Sequence, residues 1–385
     1  MLNSSDATRA APPTERPLRI VHVVDSLEFG GLERVVVDLA IAQKHAGHQV
    51  QVFSINATAG FRPNLESADI RVVVGDKQGT LDRRVLKSLR ATTAQADVVH
   101  AHNFVPNYYA ALATVFQRGR KVQICTCHDM GTRLSNRRLR WLFRWSLSRT
   151  RRVAMVGQQV CDRFIEMGMV DPRRAVTVLN GIPVQRFRNS PERKERARGQ
   201  LGLPATSPVI GCVGRLVGLK NHALLLTQMP RLLQTHPDLM LVIVGDGPLH
   251  DQLLDQVQSL GIARHVMLLG ARTDVADLLP AFDVFALPSQ TEGLSIALLE
   301  ACATGLAVVA SRVGGNPEII HDGQTGRLIE ANDAQSLLHG LTELLDDPVA
   351  RARFGAAACD WVTAHASIDA LRRAYDDCYI QALNG

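Results

Sequence analysis

Short runs rich in valine and isoleucine alternate with longer helical patterns along almost the whole chain, and they do so twice. In the first half, residues 19–26, 49–56, 70–76, 97–103, 121–129, 152–157 and 175–182 read as strands. In the second half, 208–215, 239–246, 266–270, 284–289, 307–311 and 326–330 do the same. Strands that are apolar nearly throughout, with helices between them, imply parallel sheets covered on both faces. The fold class expected is therefore α/β, doubly wound. A chain of 385 residues is too long for one ordinary core and suits two. The rhythm lapses over 186–207, where Arg186, Arg188, Pro191 and a charged cluster at 192–198 raise the polarity. That lapse predicts domains at 17–185 and 208–365, joined by a linker that ends in one charged helix. Residues 1–16, polar and small around Pro12 and Pro13, read as a loose tail, and 366–385 as a closing helical segment. Two such sheets in tandem leave a cleft, and ligands of open α/β sheets bind beyond the carboxyl ends of the strands.

Composition narrows the partners. No run of eighteen apolar residues occurs, so no spanning helix is expected. The first residues lack the apolar stretch of a signal peptide, and the seven cysteines lack metal-ligand spacing; both fit an intracellular, reducing compartment. Residues 1–185 carry 26 Lys and Arg against 15 Asp and Glu, a balance of +11, whereas the remainder carries 17 against 22, or −5. A basic first half points to an anionic partner. Its densest stretch, 133–152, holds eight arginines and no acid, interleaved with Leu134, Leu139, Leu142, Phe143 and Leu147. Within it Arg137, Arg138, Trp141, Arg144 and Trp145 would suit docking on an anionic membrane surface. An ordinary helix with a basic outer face fits as well. Nucleic acid is disfavoured, since no recognition module accompanies the charge.

The polar residues at strand ends carry the chemistry. Glu292 follows one strand, and Glu300 lies eight residues on, in a helix read as beginning near Leu294. Two carboxylates about two turns apart on one face suit hydroxyls at two points of an extended ligand. The bland alternative is a solvated Glu, which the apolar neighbours Ile296, Ala297, Leu298 and Leu299 oppose. Arg215 ends another strand, and Lys220 precedes a helix that Asn221 is expected to cap; each alone would be an ordinary surface cation. Gly30 and Gly31 open the first helix and would let backbone N–H groups approach an anion, though a Gly-Gly turn alone is weak. No Gly-x-Gly-x-x-Gly follows either domain's first strand, which counts against a dehydrogenase. His100, His102 and Asn103 end one strand, and His128 and Asp129 end the next. His100 and His102 share a face, but no third ligand is visible, so no metal is expected. Asn180-Gly181 reads as a turn. Cys125 and Cys127 should pack on one strand face.

Taken together, 292–311, 313–320 and 322–326 resemble the donor-binding region of glycosyltransferase family 4. The resemblance runs from residue 19 to about 363; it departs at Leu294, where an aromatic is usual. It implies the GT-B architecture of two facing Rossmann-like domains. It implies that Glu292 contacts the donor sugar and Glu300 the ribose, with Gly293, Leu294 and Ser295 between them. Arg215 and Lys220 would hold the diphosphate, and the loop at Gly30 and Gly31 would close over it. His128 would stand beside the reacting sugar, with His102, Asn103, Asp129 and Asn180 towards the acceptor. The last helix would cross back to the first domain. The family retains anomeric configuration. Since no carboxylate nucleophile is evident, front-face substitution through an oxocarbenium-like ion pair is the expectation, with two cations in place of a metal. No cofactor is then needed beyond a nucleotide-diphosphate sugar as co-substrate, UDP-linked in preference to GDP-linked. The acceptor would be a saccharide or polyprenyl-linked saccharide of the cell surface, met at the inner face of the cytoplasmic membrane. A nucleotide-sugar epimerase, an inverting transferase using His22 or His102 as base, and a non-catalytic nucleotide-sugar-binding scaffold are the alternatives.

Overall fold

The computed structural model describes residues 16–28, 30–57, 59–79, 81–115, 117, 121–128 and 137–384. Two doubly wound α/β domains face each other. Seven parallel strands build the first: β1 (Arg19–Val24), β2 (Gln49–Ser54), β3 (Arg71–Val74), β4 (Val98–His102), β5 (Val122–Cys127), β6 (Arg152–Met155) and β7 (Ala175–Thr177). Their order is β3-β2-β1-β4-β5-β6-β7. Six build the second: β8 (Val209–Val213), β9 (Met240–Val244), β10 (Val266–Leu268), β11 (Val284–Leu287), β12 (Ala307–Ser311) and β13 (Arg327–Ile329), ordered β10-β9-β8-β11-β12-β13. The order reverses between β1 and β4, and again between β8 and β11. Those switch points open the crevices in which such sheets hold ligands.

Both sheets are buried on both faces. Val23, Val99, Cys125 and Val153 meet Phe143 and Phe164 of the outer helices in the first domain. Ile210, Leu241, Val284 and Val309 meet Leu225, Met229 and Leu341 in the second. Side chains of this size contribute about 1.5–3 kcal/mol each when withdrawn from water. Cys125 and Cys127 are buried free thiols with their Sγ atoms 3.9 Å apart.

The expected linker is largely structured. A helix, Pro191–Leu201, starts at Ser190, whose Oγ accepts from Arg193 N, and ends at Gly202 in the left-handed region. Its buried Arg198 donates to Asp283 Oδ2 at 2.7 Å and to the carbonyls of Pro204, Ala205 and Ser207. A guanidinium with that many acceptors ties the helix to the second domain, which is why the charged cluster is not a free tether.

The last helix, Ile368–Asn384, returns to the first domain and buries Leu371, Tyr375 and Tyr379 beside Ile20, Val98 and Ile124. Where it crosses, Ile182 N donates to Ala366 O at 3.0 Å and Ile368 N to Ile182 O at 2.8 Å, a parallel bridge between two passing segments. Asn180-Gly181 is therefore no turn: Gly181 runs past the start of that helix, and a Cβ there would lie 2.5 Å from Ser367 O. A further link between the domains comes from Glu318, in the short helix Asn316–Ile319. Its carboxylate accepts from the N–H groups of Gln158 (2.9 Å) and Gln159 (3.3 Å), which begin the first-domain helix Gln158–Glu166. Among the described residues no helix is long and apolar enough to cross a membrane.

Candidate active site

The loop after β11 carries Glu292. Ser295 caps the helix that follows, Ile296–Ala303, with its Oγ accepting from Leu298 N. The helix thus begins two residues later than the spacing suggests. Glu292 stands in the loop before it, so it shares no helix face with Glu300. One oxygen of Glu292, Oε1, accepts from both Lys220 Nζ and Ser289 Oγ at 2.6 Å each. Lys220 and Glu292 are mostly buried, so this ion pair is little screened. The loop has a seat. Gly314, at φ +54°, lies so close that a Cβ would stand 1.9 Å from Glu292 O, and Gly315 N donates to Gly293 O at 2.6 Å. Only a glycine pair permits that approach. Leu294 is buried behind it.

Arg215, just past β8, is exposed and has no ion-pair partner among the described residues. Its loop is fixed from β9: Gly214 N donates to Val244 O, and Leu216 N to Asp246 O, both at 3.0 Å. Gly245 makes room, since a Cβ there would lie 1.9 Å from Gly214 O. Sequence reasoning passed over this Gly245-Asp246-Gly247 segment, although two glycines at a strand end were its signal. Asn221 does not cap the helix His222–Thr235 with its side chain. It sits in the left-handed region at φ +55°, and its Nδ2 donates to Asn332 Oδ1. His222, also passed over, is buried with neither ring nitrogen partnered among the described residues, and burial first, then Lys220, draws its pKa down to about 4.

The glycine loop faces this arrangement. Gly31 starts the helix Gly31–His45, and a Cβ on it would lie 3.4 Å from Ile296 Cγ1 of the other domain. Gly30 precedes it in extended conformation. Farther along that helix, Arg34 and Asp38 form an ion pair at 2.9 Å. Glu300 approaches the pair and Arg186. Burial pushes its pKa up to about 7, against the pull of Arg186 and Arg34 and with a push from Asp38.

On the first-domain side, strand pairing sets His22 opposite His100, and His102 opposite Thr126. His22 is the third potential ligand that the linear sequence concealed. Ligand atoms of His22, His100 and His102 lie within 4.8 Å of one another. Five of the six ring nitrogens already have hydrogen-bond partners, however. His22 contacts Gln43 and His102, His100 contacts Tyr379 and Thr126, and only His102 Nδ1 has none among the described residues. The rings are stacked or tilted face to face, with centroids 4.2–5.3 Å apart, which suits a hydrogen-bonded stack better than edge-on coordination. Asn103, at φ +68°, accepts from His128 N at 2.9 Å and so holds that residue at the end of β5. Burial lowers the His128 pKa to about 4. Asn180 is buried. Asp129 and Leu134 lie outside the described residues. In the helix Arg137–Ser148, Arg137, Arg138, Arg144 and Trp141 face outward, Trp141 being 69% exposed, and Trp145 is half-buried.

Two family models tile this architecture. Residues 29–186 match the model described as Glycosyltransferase Family 4, and residues 193–361 that of Glycosyl transferases group 1. The chain consists of a family 4 glycosyltransferase domain followed by a group 1 glycosyltransferase domain. This glycosyltransferase is 27% identical over 355 residues to the UDP-Gal:alpha-D-GlcNAc-diphosphoundecaprenol alpha-1,3-galactosyltransferase of Escherichia coli, covering 87% of this chain and 90% of that protein. It is 38% identical over 192 residues to the GDP-mannose-dependent alpha-(1-6)-phosphatidylinositol monomannoside mannosyltransferase of Mycolicibacterium smegmatis. That match takes in 47% of this chain, and the chain spans about half the length of that relative (50%). Among solved structures, HepE of Anabaena in complex with UDP superposes with a TM-score of 0.83 at 23% identity, over 94% of this chain and 99% of that one. WaaG, a glycosyltransferase of lipopolysaccharide biosynthesis, does so with 0.74 at 18%, over 93% and 99%. At such identities the likeness is one of fold, and that fold is GT-B.

Proposed function

We propose that this glycosyltransferase moves a hexose from a nucleotide-diphosphate donor to a saccharide or lipid-linked saccharide of the cell envelope, with retention of configuration. The observation that carries the reading is the buried Lys220–Glu292 ion pair in loops beyond strand ends of the second sheet, with Arg215 just past β8 and the glycine loop of the first domain against Ile296. As the sugar bond breaks, negative charge gathers on the leaving diphosphate. Arg215 and Lys220 stabilise it there, and they exceed in the transition state what they supply to the bound donor. Donor binding draws Lys220 from Glu292 to the phosphate and frees the carboxylate for sugar hydroxyls. In front-face substitution the leaving phosphate takes the acceptor's proton, and the two cations supply charge neutralisation without a metal. A uridine donor is favoured, because the relative matched over most of its length uses UDP-galactose.

Release of nucleoside diphosphate from a panel of UDP- and GDP-sugars tests this. We expect turnover of one donor, unaffected by EDTA, falling at least about 100-fold in Glu292→Ala and Lys220→Ala. Tight donor binding with no turnover under any acceptor would leave the scaffold reading instead. We further propose that the arginine-rich helix rests on an anionic membrane surface, supported by the exposed Trp141 among its arginines. Co-sedimentation with phosphatidylglycerol vesicles should weaken several-fold in Trp141→Ala and disappear with phosphatidylcholine alone; equal binding to both would sink the idea.

A further inference from the structure

The densest basic stretch of the sequence is divided between two places. Arg137, Arg138, Arg144 and Trp141 face outward from the helix Arg137–Ser148, whereas Arg149 and Arg151, just past its end, line a cavity of about 430 Å³. That cavity lies at the amino-terminal edge of the first sheet, where β5 begins at Val122 and β6 at Arg152. Ligands of the transfer cleft belong beyond the opposite, carboxyl edge, so the two places are separate. A smaller cavity of about 190 Å³ adjoins it and shares Lys121, Val122, Gln123 and Arg149. The larger volume falls in the ordinary range for small-molecule sites, about 300–1,000 Å³.

Four cations, Lys121, Arg149, Arg151 and Arg174, line the larger cavity, and among the described residues of its wall there is no acid. Their present partners carry no charge. Lys121 Nζ donates to the carbonyls of Thr93 (2.9 Å) and Ala94 (3.1 Å) and to Gln117 Oε1. Burial first, then Arg19, draws its pKa down. Arg174 Nη1 donates to the carbonyls of Leu147 (3.2 Å), Ser148 (3.1 Å) and Thr150 (3.0 Å), closing the end of the arginine-rich helix. The Arg149 guanidinium lies 6.0 Å from the centre of the Trp145 ring. Arg151 is exposed, with no ion-pair partner among the described residues. Nearby acids are engaged elsewhere, Asp97 with Arg19 at 3.0 Å and Asp171 with Arg173 at 2.8 Å, although Arg174 also acts on Asp171.

Like charges gathered round one cavity repel, and an anion among them relieves the repulsion. Guanidinium forks suit phosphate oxygens in particular. Part of the wall is apolar, from Val122, Ala382 and Leu383. A bare ion would leave that part uncovered, whereas an ester brings a carbon skeleton to it. We propose that this cavity binds a phosphate monoester, with its phosphate among Arg149, Arg151 and Arg174 and its carbon skeleton against Val122 and Leu383. The site takes no part in sugar transfer and stands whatever the donor proves to be. Its occupant bridges the last helix, which supplies Ala382 and Leu383, to the starts of β5 and β6.

Trp145 reports on the site. Of the three tryptophans, Trp141 and Trp361 are replaced by Phe, leaving the ring beside Arg149 as the sole emitter. Titration with glycerol 3-phosphate at constant ionic strength should change its emission saturably, because an anion that draws Arg149 takes a cation from the ring. Arg151→Gln should weaken that binding at least about 10-fold, while Lys220→Ala, in the transfer cleft, should leave it within about 2-fold. Vesicles of phosphatidic acid in phosphatidylcholine separate the sources of the ester. Saturation by glycerol 3-phosphate supports a soluble ligand. A response to the vesicles alone, lost in Arg151→Gln, supports the same chemistry on a lipid headgroup. Silence towards both probes, or an equal response to sodium chloride, overturns the proposal. So does a response that Arg151→Gln keeps and Lys220→Ala abolishes, which would place the anion in the transfer cleft.

Discussion

Glu300 is a carboxyl group held where the neutral form is favoured, and that has a direction in pH. Its folded pKa is raised to about 7, chiefly by burial. The folded state therefore binds more protons than the unfolded one between about pH 4.5 and 7, and stability falls as pH rises through that window. The contribution is complete below the unfolded pKa and lost above the folded one. Replacing the acid by Gln removes the dependence. We expect Glu300→Gln to match the wild type in thermal unfolding at pH 4.5 and to exceed it at pH 8, by on the order of 2 kcal/mol. A variant less stable than wild type at pH 8 would mean that Arg34 and Arg186 outweigh burial. The donor adds a second consequence. On the reading that Glu300 accepts from the donor's ribose hydroxyls, which bond more strongly to the ionised carboxylate than to the acid, donor KM should fall from pH 6 to 8 in the wild type and stay flat in Glu300→Gln.

Strands were the legible elements, because strands buried on both faces are apolar end to end and announce themselves without alignment. The loops between them were less so, since their shape is set by backbone contacts across sequence. Gly314 shows why: its glycine is demanded by the carbonyl of Glu292, twenty-two positions earlier, and by a left-handed φ. We expect Gly314→Ala to lower the unfolding temperature of the second domain by roughly 5 °C through strain and a shifted Glu292 loop. Nucleoside diphosphate release should fall more than stability alone explains; an unchanged kcat would show that the loop tolerates displacement. The start of the helix after Glu292 was readable in principle from Ser295, a capping residue, but the apolar run that begins at Leu294 masked it. The histidine trio was not readable at all. His22, His100 and His102 meet only because the strand order seats β1 beside β4, and the partners that decide their protons, Gln43 and Tyr379, come from helices at opposite ends of the chain.

At the scale of the whole molecule, contacts among the described residues that tie the domains include the glycine loop against Ile296, the Glu318 carboxylate on the helix Gln158–Glu166, and the crossing at Ile182 and Ser367. The second is breakable without disturbing either core. A carboxylate on two free N–H groups at a helix start contributes about 0.5–2 kcal/mol. Glu318→Ala should therefore leave the unfolding temperature nearly unchanged while increasing the radius of gyration in solution scattering and raising donor KM several-fold. Identical scattering curves for Glu318→Ala and the wild type would show that closure does not depend on this contact.

The crossing constrains how the cleft can open. The chain passes between the domains near Ile182 and again near Ser367, and the two passages lie side by side, bonded to each other through their backbones. A single tether would let one domain swivel, slide and tilt against the other. Two tethers fused along one line behave as the pin of a door. They leave a single angular coordinate, so the cleft widens farthest from the pin, and every residue on the opposite lip travels along one arc and returns to the same register each time it shuts.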